Sequence, residues 1–207
     1  LQEFAGSTAG KVVVASSEPD IGAPQPLTFT GAFDTDALNY RNNLTTNAPK
    51  NWPRTIEETI LEADTAMQTG DPRSGYTSYG IAVSLSPDDS ALWTKLSVAA
   101  LATPPKENEA FVLQQAATSA ALNAYLTSRA TNSRADALVA LAQALDKRGE
   151  GRPAINAYKT ALELRPDKAV EAAYKDIKSR KGFRVTDHSV DTAAETPRVC
   201  VQFSESL

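Results

Sequence analysis

Cysteine is almost missing: Cys200 stands alone in 207 residues. A single cysteine excludes an internal disulfide framework and a cysteine-ligated metal cluster. Histidine is equally scarce, with only His188, and that rules out a histidine-rich metal site. No apolar stretch approaches the roughly 18 residues of a membrane span, so no direct membrane insertion is expected. No run of like charge is long enough to form a tail. The 21 basic residues are outnumbered by 25 acidic ones, for a net charge of -4. A nucleic-acid partner needs clustered Lys and Arg, and none is expected here. The opening stretch "LQEFAGSTAGK" has neither the basic start nor the apolar core of a signal peptide. It also lacks an initiating Met, which reads as an excised piece or a mature product. Localisation is therefore not legible from the chain's own start.

Alanine is abundant, and 42% of residues are hydrophobic. Alanine-rich, proline-punctuated chains suit short helices packed at close range. Three regions follow. Residues 1–54 are rich in Ser, Thr, Pro, Gly and Asn. "KVVVAS" allows one short strand, and "EPDIGAPQP" cannot be regular. This region reads as an extended arm or linker, laid over the rest. Residues 55–181 read as helices. Thr55 with Glu58 predicts a capping box. Gly70, Asp71 and Pro72 predict a stop, a cap and a new start. Pro104–Pro105 ends a helix, "TNS" at 131–133 breaks another, and "RGEGRP" turns the chain. Residues 182–207 change period: in "VCVQF" Val199, Val201 and Phe203 fall on one side, as in a strand.

The helical region repeats itself. "ALVALAQALDKRGEGRPAINAYKTALELRPD" places Leu138, Leu141, Ala142 and Leu145, then Ala154, Tyr158, Ala161 and Pro166. That spacing matches the tetratricopeptide unit of ~34 residues. Gly75, Tyr79, Ala82 and Pro87 occupy the same relative places earlier, and Trp93, Leu96, Ser97 and Ala100 begin the next unit. Small residues sit where two helices cross, and large ones fill the gap to the next pair. The middle unit carries about eleven extra residues around "TPPKENEAFVLQ". In the first unit strict spacing puts Glu62 in the core, which leaves its frame open. The expectation is an all-α, tetratricopeptide-like array of about three helix pairs plus a final helix. It carries an extended N-terminal arm and a C-terminal β-strand segment.

No constellation assembles nucleophile, base and oxyanion donor, so no catalytic residue, cofactor or metal is assigned and the chain reads as no enzyme. Asp187, His188 and Ser189 are adjacent in an extended segment and point in alternating directions, so they cannot form a relay. "GSTAGK" is one residue short of a phosphate loop, and Val12 stands where a hydroxyl is needed. Asp34–Thr35–Asp36 and Asp88–Asp89 lack the other ligands of a calcium loop. Asn43–Leu44–Thr45 is an inert sequon outside a eukaryotic secretory setting. Cys200, in a strand, reads as a buried structural thiol.

In tetratricopeptide arrays the first helix of each pair lines a groove. The groove-facing positions are then Ala91, Thr94, Val98 and Leu101 in one unit, and Asp136, Val139, Gln143, Asp146 and Lys147 in the next. Thr94, Val98, Leu101, Val139, Gln143 and Asp146 are the candidate partner-binding residues. The groove is partly apolar and lacks a Lys and Asn pattern for a terminal carboxylate.

The ending carries a resemblance. Phe183–Arg184–Val185, Asp187–His188, Val190–Asp191, Pro197–Arg198–Val199–Cys200 and "QFSE" resemble the opening of the first macroglobulin-like β domain in bacterial alpha-2-macroglobulin family proteins. The preceding helical stretch is similar to the repeat region of one branch of that family. The resemblance implies a periplasmic or cell-envelope setting in a protease-inhibitor parent, with the parent's other domains or a peptide segment as partner. It implies no thioester here, since Cys200 is followed by Val201, Gln202 and Phe203. On this reading "RVCVQFSESL" is the first strand of a β domain, poorly packed or borrowed by a neighbouring surface. The other reading is a self-contained helical-repeat adaptor that binds peptides in its groove.

Overall fold

A computed structural model describes residues 18–183, 185–191 and 198–204. In chain order the helices are α1 (Gly31–Thr46), α2 (Ile56–Gln68), α3 (Pro72–Leu85), α4 (Ser90–Ala102), α5 (Ala110–Thr127), α6 (Thr131–Lys147), α7 (Gly151–Leu164) and α8 (Lys168–Lys181). The strands β1 (Val185–Asp191) and β2 (Arg198–Phe203) follow.

Local chemistry sets the helix ends. Thr55 caps α2 in a full capping box: its Oγ1 accepts from Glu58 N at 3.1 Å, and Thr55 N donates to Glu58 Oε2 at 2.9 Å. Asp71, Asp89 and Asp167 cap α3, α4 and α8 with side-chain oxygens. Gly70 takes the left-handed φ of 82° that the turn before Asp71 requires. Ser86, Thr103 and Arg165 end α3, α4 and α7, and each precedes a proline. A following proline disfavours the helical conformation of the residue before it, and these helices stop there. The break expected at 131–133 falls slightly earlier. Ser128 ends α5 in an extended conformation, and Thr131, Asn132 and Ser133 form the first turn of α6.

The helices pack as the repeat demands: α2 on α3, α4 on α5 and α6 on α7, with α8 closing on α7. Small residues mark the crossings. Gly75 is buried in α3, and a Cβ there would meet Met67 Sδ of α2 at 2.7 Å. Trp93 is fully buried, and its indole N–H donates to the carbonyl of Pro87 at 2.8 Å. One repeat's terminal proline is thus held by the next repeat's tryptophan. The frame of the first pair is also settled. Thr59 and Ala63 turn inward, while Glu62 faces solvent and pairs with Arg54 at 2.5 Å.

The central helix is α5. Ala116 to Tyr125 are buried all the way round. The cause is α1. Residues 31–46, read from sequence as part of an extended arm, form a helix that packs on α5 and α3. Phe33 and Ala37 are buried in a cluster with residues of α5, α6 and α7, and Tyr40 and Leu44 pack on the core around Trp93. The Asn123 side chain donates to the Ala37 carbonyl at 2.8 Å in the buried seam. Ser119, Ala120 and Asn123 are small enough for that close approach. The described residues on either side of α1, 18–30 and 47–55, are irregular, and the stretch before it lies along the array. Ile21 N donates to Arg129 O at 2.7 Å, and the Tyr125 hydroxyl donates to Gln25 O at 2.7 Å. "KVVVAS" lies outside the described residues.

The C-terminal strand has a partner. β2 pairs antiparallel with β1, placing Val190 opposite Val199 and His188 opposite Val201, with an irregularity between Val185 and Asp187. Phe183 stacks on Phe203, with ring centroids 4.9 Å apart. The hairpin is thinly covered all the same, and Val199 is 66% exposed. Cys200 is exposed, against the expectation of a buried thiol, because two strands alone supply no second layer to cover it.

Candidate interaction surface

Three first helices, α2, α4 and α6, form one side of the array. α4 and α6 touch directly, and α2 reaches α4 through an ion pair. Lys95 Nζ donates to Asp64 at 2.7 and 3.0 Å, and the Tyr79 hydroxyl donates to the same carboxylate. Burial pushes the Asp64 carboxyl up, but the hydrogen bonds from Lys95 and Tyr79 outweigh it and hold the carboxyl below its ordinary value. Burial and the same carboxylate push the Tyr79 hydroxyl up, so it stays a donor.

The expected groove residues divide into two groups. On α4, Ala91 and Val98 are exposed, and Thr94 and Leu101 are half-buried on the same face. Val98 is 42% exposed. On α6, Gln143 and Lys147 are exposed. Leu101 of α4 and Lys147 of α6 line one hollow of about 410 Å³ with Pro104, Pro105 and Leu113. These residues share an accessible surface. The others serve the protein's own packing. Val139 is half-buried and packs against both large core clusters. Asp136 is bound by Arg165 at 2.5 Å. Asp146 accepts from Arg180 at 3.0 Å and lies 3.5 Å from Lys181. The carboxylates of Asp176 and Asp146 raise the affinity of Arg180 for its proton.

Sequence reasoning missed Asp64, Lys95 and Tyr79 as a unit. It also missed how the inserted loop is anchored. Arg73 of α3 holds Glu109 in a two-pronged pair, at 2.9 and 2.7 Å, and donates to Pro104 O at 2.8 Å. Lys106 N donates to the same carboxylate at 2.9 Å. The Arg73 guanidinium, helped by that amide, holds the Glu109 carboxyl down at about 2. The rim of the 410 Å³ hollow is therefore fixed in place.

Elsewhere the chemistry is sparse. Among the described residues no group of three or more His, Cys, Asp or Glu gathers to hold a metal. Nor is any helix among the described residues long and apolar enough to cross a membrane. His188 is exposed on β1 and its backbone N donates to Asp187 Oδ1 at 2.8 Å.

No family model matches the chain, and no curated protein matches it. Solved structures do. The chain is similar to the "Arabidopsis OM64 TPR domain" at 17% identity and a TM-score of 0.51, over 60% of this chain and 95% of that one. It is similar to MamA at 23% identity and a TM-score of 0.52, over 74% and 81%. It is also similar to the first TPR of Spaghetti (RPAP3), bound there to the HSP90 peptide SRMEEVD, at 15% identity and a TM-score of 0.51, over 60% and 91%. At these identities the likeness establishes the fold, a tetratricopeptide-like helical repeat.

Proposed function

We propose that this chain is a non-catalytic interaction and positioning module that works through the open face of α2, α4 and α6. One observation carries the reading. The ordered N-terminal helix α1 packs on α3 and α5, so the opposite face keeps Val98 and Gln143 exposed beside a hollow of about 410 Å³. The similar domain from Spaghetti holds a peptide. Here Lys95 is already paired with Asp64 and the surrounding residues are Thr94, Val98 and Leu101. That composition favours a partly apolar segment over an acidic one.

The reading extends to the setting. The resemblance of residues 182–207 supports a bacterial alpha-2-macroglobulin-like, protease-inhibiting parent in the periplasm or cell envelope. The exposed valines of the hairpin support it too, because a following β domain would cover them. The segment bound on the open face then belongs to another domain of the parent or to a separate protein. The second reading, a self-contained peptide-binding adaptor, uses the same open face and needs no parent.

Two measurements separate these. The full coding sequence decides the setting: further β domains after Leu207 support the parent, and a stop codon or an unrelated domain there sinks it. Binding decides the face. A segment retained by the chain should be released by Val98→Glu or Gln143→Arg with the melting temperature unchanged. Equal retention by both variants sinks the open-face reading. Val139→Glu is unsuitable, because Val139 is part of the core.

A further inference from the structure

A second cleft opens on the other side of the array, where α1 meets α3 and α5. It consists of two hollows of about 280 Å³ each that meet at Tyr40 and Tyr76. The two tyrosine hydroxyls are 3.1 Å apart at that junction. Along the α1 rim stand Asp36, Asn39, Asn43 and Asn47, one stripe at helical spacing. The facing wall of one hollow includes Gly80, over which an added Cβ would find open space, so bare backbone is approachable there. No lysine or arginine lines either hollow.

The asparagines are out of place as helix residues. Asparagine is a weak helix former and is favoured at caps and turns. Asn47 has such a use: it ends α1, and its Nδ2 donates to Asn43 O at 3.0 Å and Asn43 Oδ1 at 2.8 Å. Asn39 sits mid-helix and makes no side-chain hydrogen bond among the described residues. Two donors remain on Asn43 and an acceptor on Asn47. A locally unfavourable residue type repeated along one rim is a mark of a site.

The spacing has a natural ligand. Four residues of α-helix advance about 6 Å, and two residues of extended chain advance about 6.6 Å. Amides at positions 39, 43 and 47 therefore meet alternate peptide units of an extended strand. A side-chain amide offers a donor and an acceptor and can satisfy the N–H and C=O of one residue together. The stripe from Asp36 to Asn47 is about 16 Å long, which is room for about five extended residues.

We infer that this cleft binds an extended segment of another polypeptide, its backbone held by Asn39, Asn43 and Asn47 and one uncharged side chain seated at the Tyr40–Tyr76 junction. Asp36 favours a basic residue at its end of the segment. The site is separate from the open face of α2, α4 and α6 and does not depend on that face binding anything.

The test uses the full 207-residue chain. A random dodecapeptide phage library is selected on it, and the most enriched peptide is synthesised and titrated by fluorescence anisotropy. Joint replacement Asn39→Ala and Asn43→Ala should weaken binding about tenfold or more, the scale of losing several net hydrogen bonds. The melting temperature should not fall, since alanine is the better helix former. N-methylation at successive peptide nitrogens should weaken binding with a period of two. Asp36→Lys should remove the preference for a basic end. No enriched peptide, or a flat N-methyl scan, overturns the proposal. So does a peptide released by Val98→Glu but unaffected by the asparagine pair, which assigns it to the open face instead. If deleting residues 1–17 tightens binding about tenfold, the occupant is the chain's own terminus, and the claim of a separate partner fails.

Discussion

The two sides of the array are made from the same repeat, yet one is closed and the other open. The first-helix side, α2, α4 and α6, keeps Val98 and Gln143 in solvent. The second-helix side is covered by α1, which buries Phe33 and Ala37 and leaves α5 with no exposed face between Ala116 and Tyr125. The difference follows from side chains. Ser119, Ala120 and Asn123 let a helix backbone approach closely enough for Asn123 to bond the Ala37 carbonyl. On the open side the charged residues are satisfied by neighbours within the array, Asp64 by Lys95, Asp136 by Arg165 and Asp146 by Arg180. Nothing there requires a covering helix.

The sharpest way to break this contrast is to attack the closed side. Phe33 is 7% exposed, and its ring lies 4.8 Å from the Arg148 guanidinium carbon, which Phe111 approaches from 5.7 Å. Phe33→Ala removes a buried ring and part of that cation cage, and should destabilise the chain by about 3–5 kcal/mol in urea unfolding. Asn123→Ala should cost about 1–3 kcal/mol, because the Ala37 carbonyl loses its buried side-chain donor. Both variants should unfold in one transition. An early separate transition for α1 would mean that it is an appendage and that the closed side is only loosely covered.

A milder test addresses the loop that rims the open side. Glu109 is held at about 2, below its ordinary 4.5, by Arg73 and the Lys106 amide. A carboxyl depressed on folding contributes stability that is complete above its unfolded value. That contribution drains as pH falls from about 4.5 toward about 2. Amide protection at residues 103–109, relative to the intrinsic exchange rate at each pH, should therefore fall through that window while the helices stay protected. Glu109→Gln should show fast exchange at neutral pH and no such acid step. An acid step that survives in Glu109→Gln would assign the loop's anchoring to another group.

Much of this architecture was legible in the sequence, and the illegible parts share a cause. Caps and stops are local chemistry, so Thr55, Asp71 and the residues before Pro87, Pro104 and Pro166 were readable directly. The third repeat was readable because every core position fell into frame. Helix α1 was hidden by composition. Phe33, Ala37, Tyr40 and Leu44 recur at helical spacing, but they stand among asparagine, threonine and aspartate, which read as loop. Their helix is held by contacts with α5 and α3, far away in sequence. The engagements of Val139 and Asp146 within the array were illegible for the same reason. Val139 packs into both clusters, and Asp146 is claimed by Arg180, 34 residues later. The thiol of Cys200 was misjudged because alternation shows which side chains share a strand face, but not whether any layer covers it.

The smallest expected effect is the one that defines the open side. Val98 lies in the middle of α4 with 42% of its surface in water. Its neighbours on the inner face, Leu96, Ser97, Ala99 and Ala100, are buried, so the core does not depend on its methyl groups. Glutamate is also a better helix former than valine. Val98→Glu should therefore change unfolding free energy by no more than about 0.5 kcal/mol. A loss much larger than that would show that Val98 is covered in solution, by a second copy of the chain or by part of its own. The chain's mass in solution would then separate these: a doubled mass that Val98→Glu halves points to the copy, and an unchanged monomer points to the chain itself.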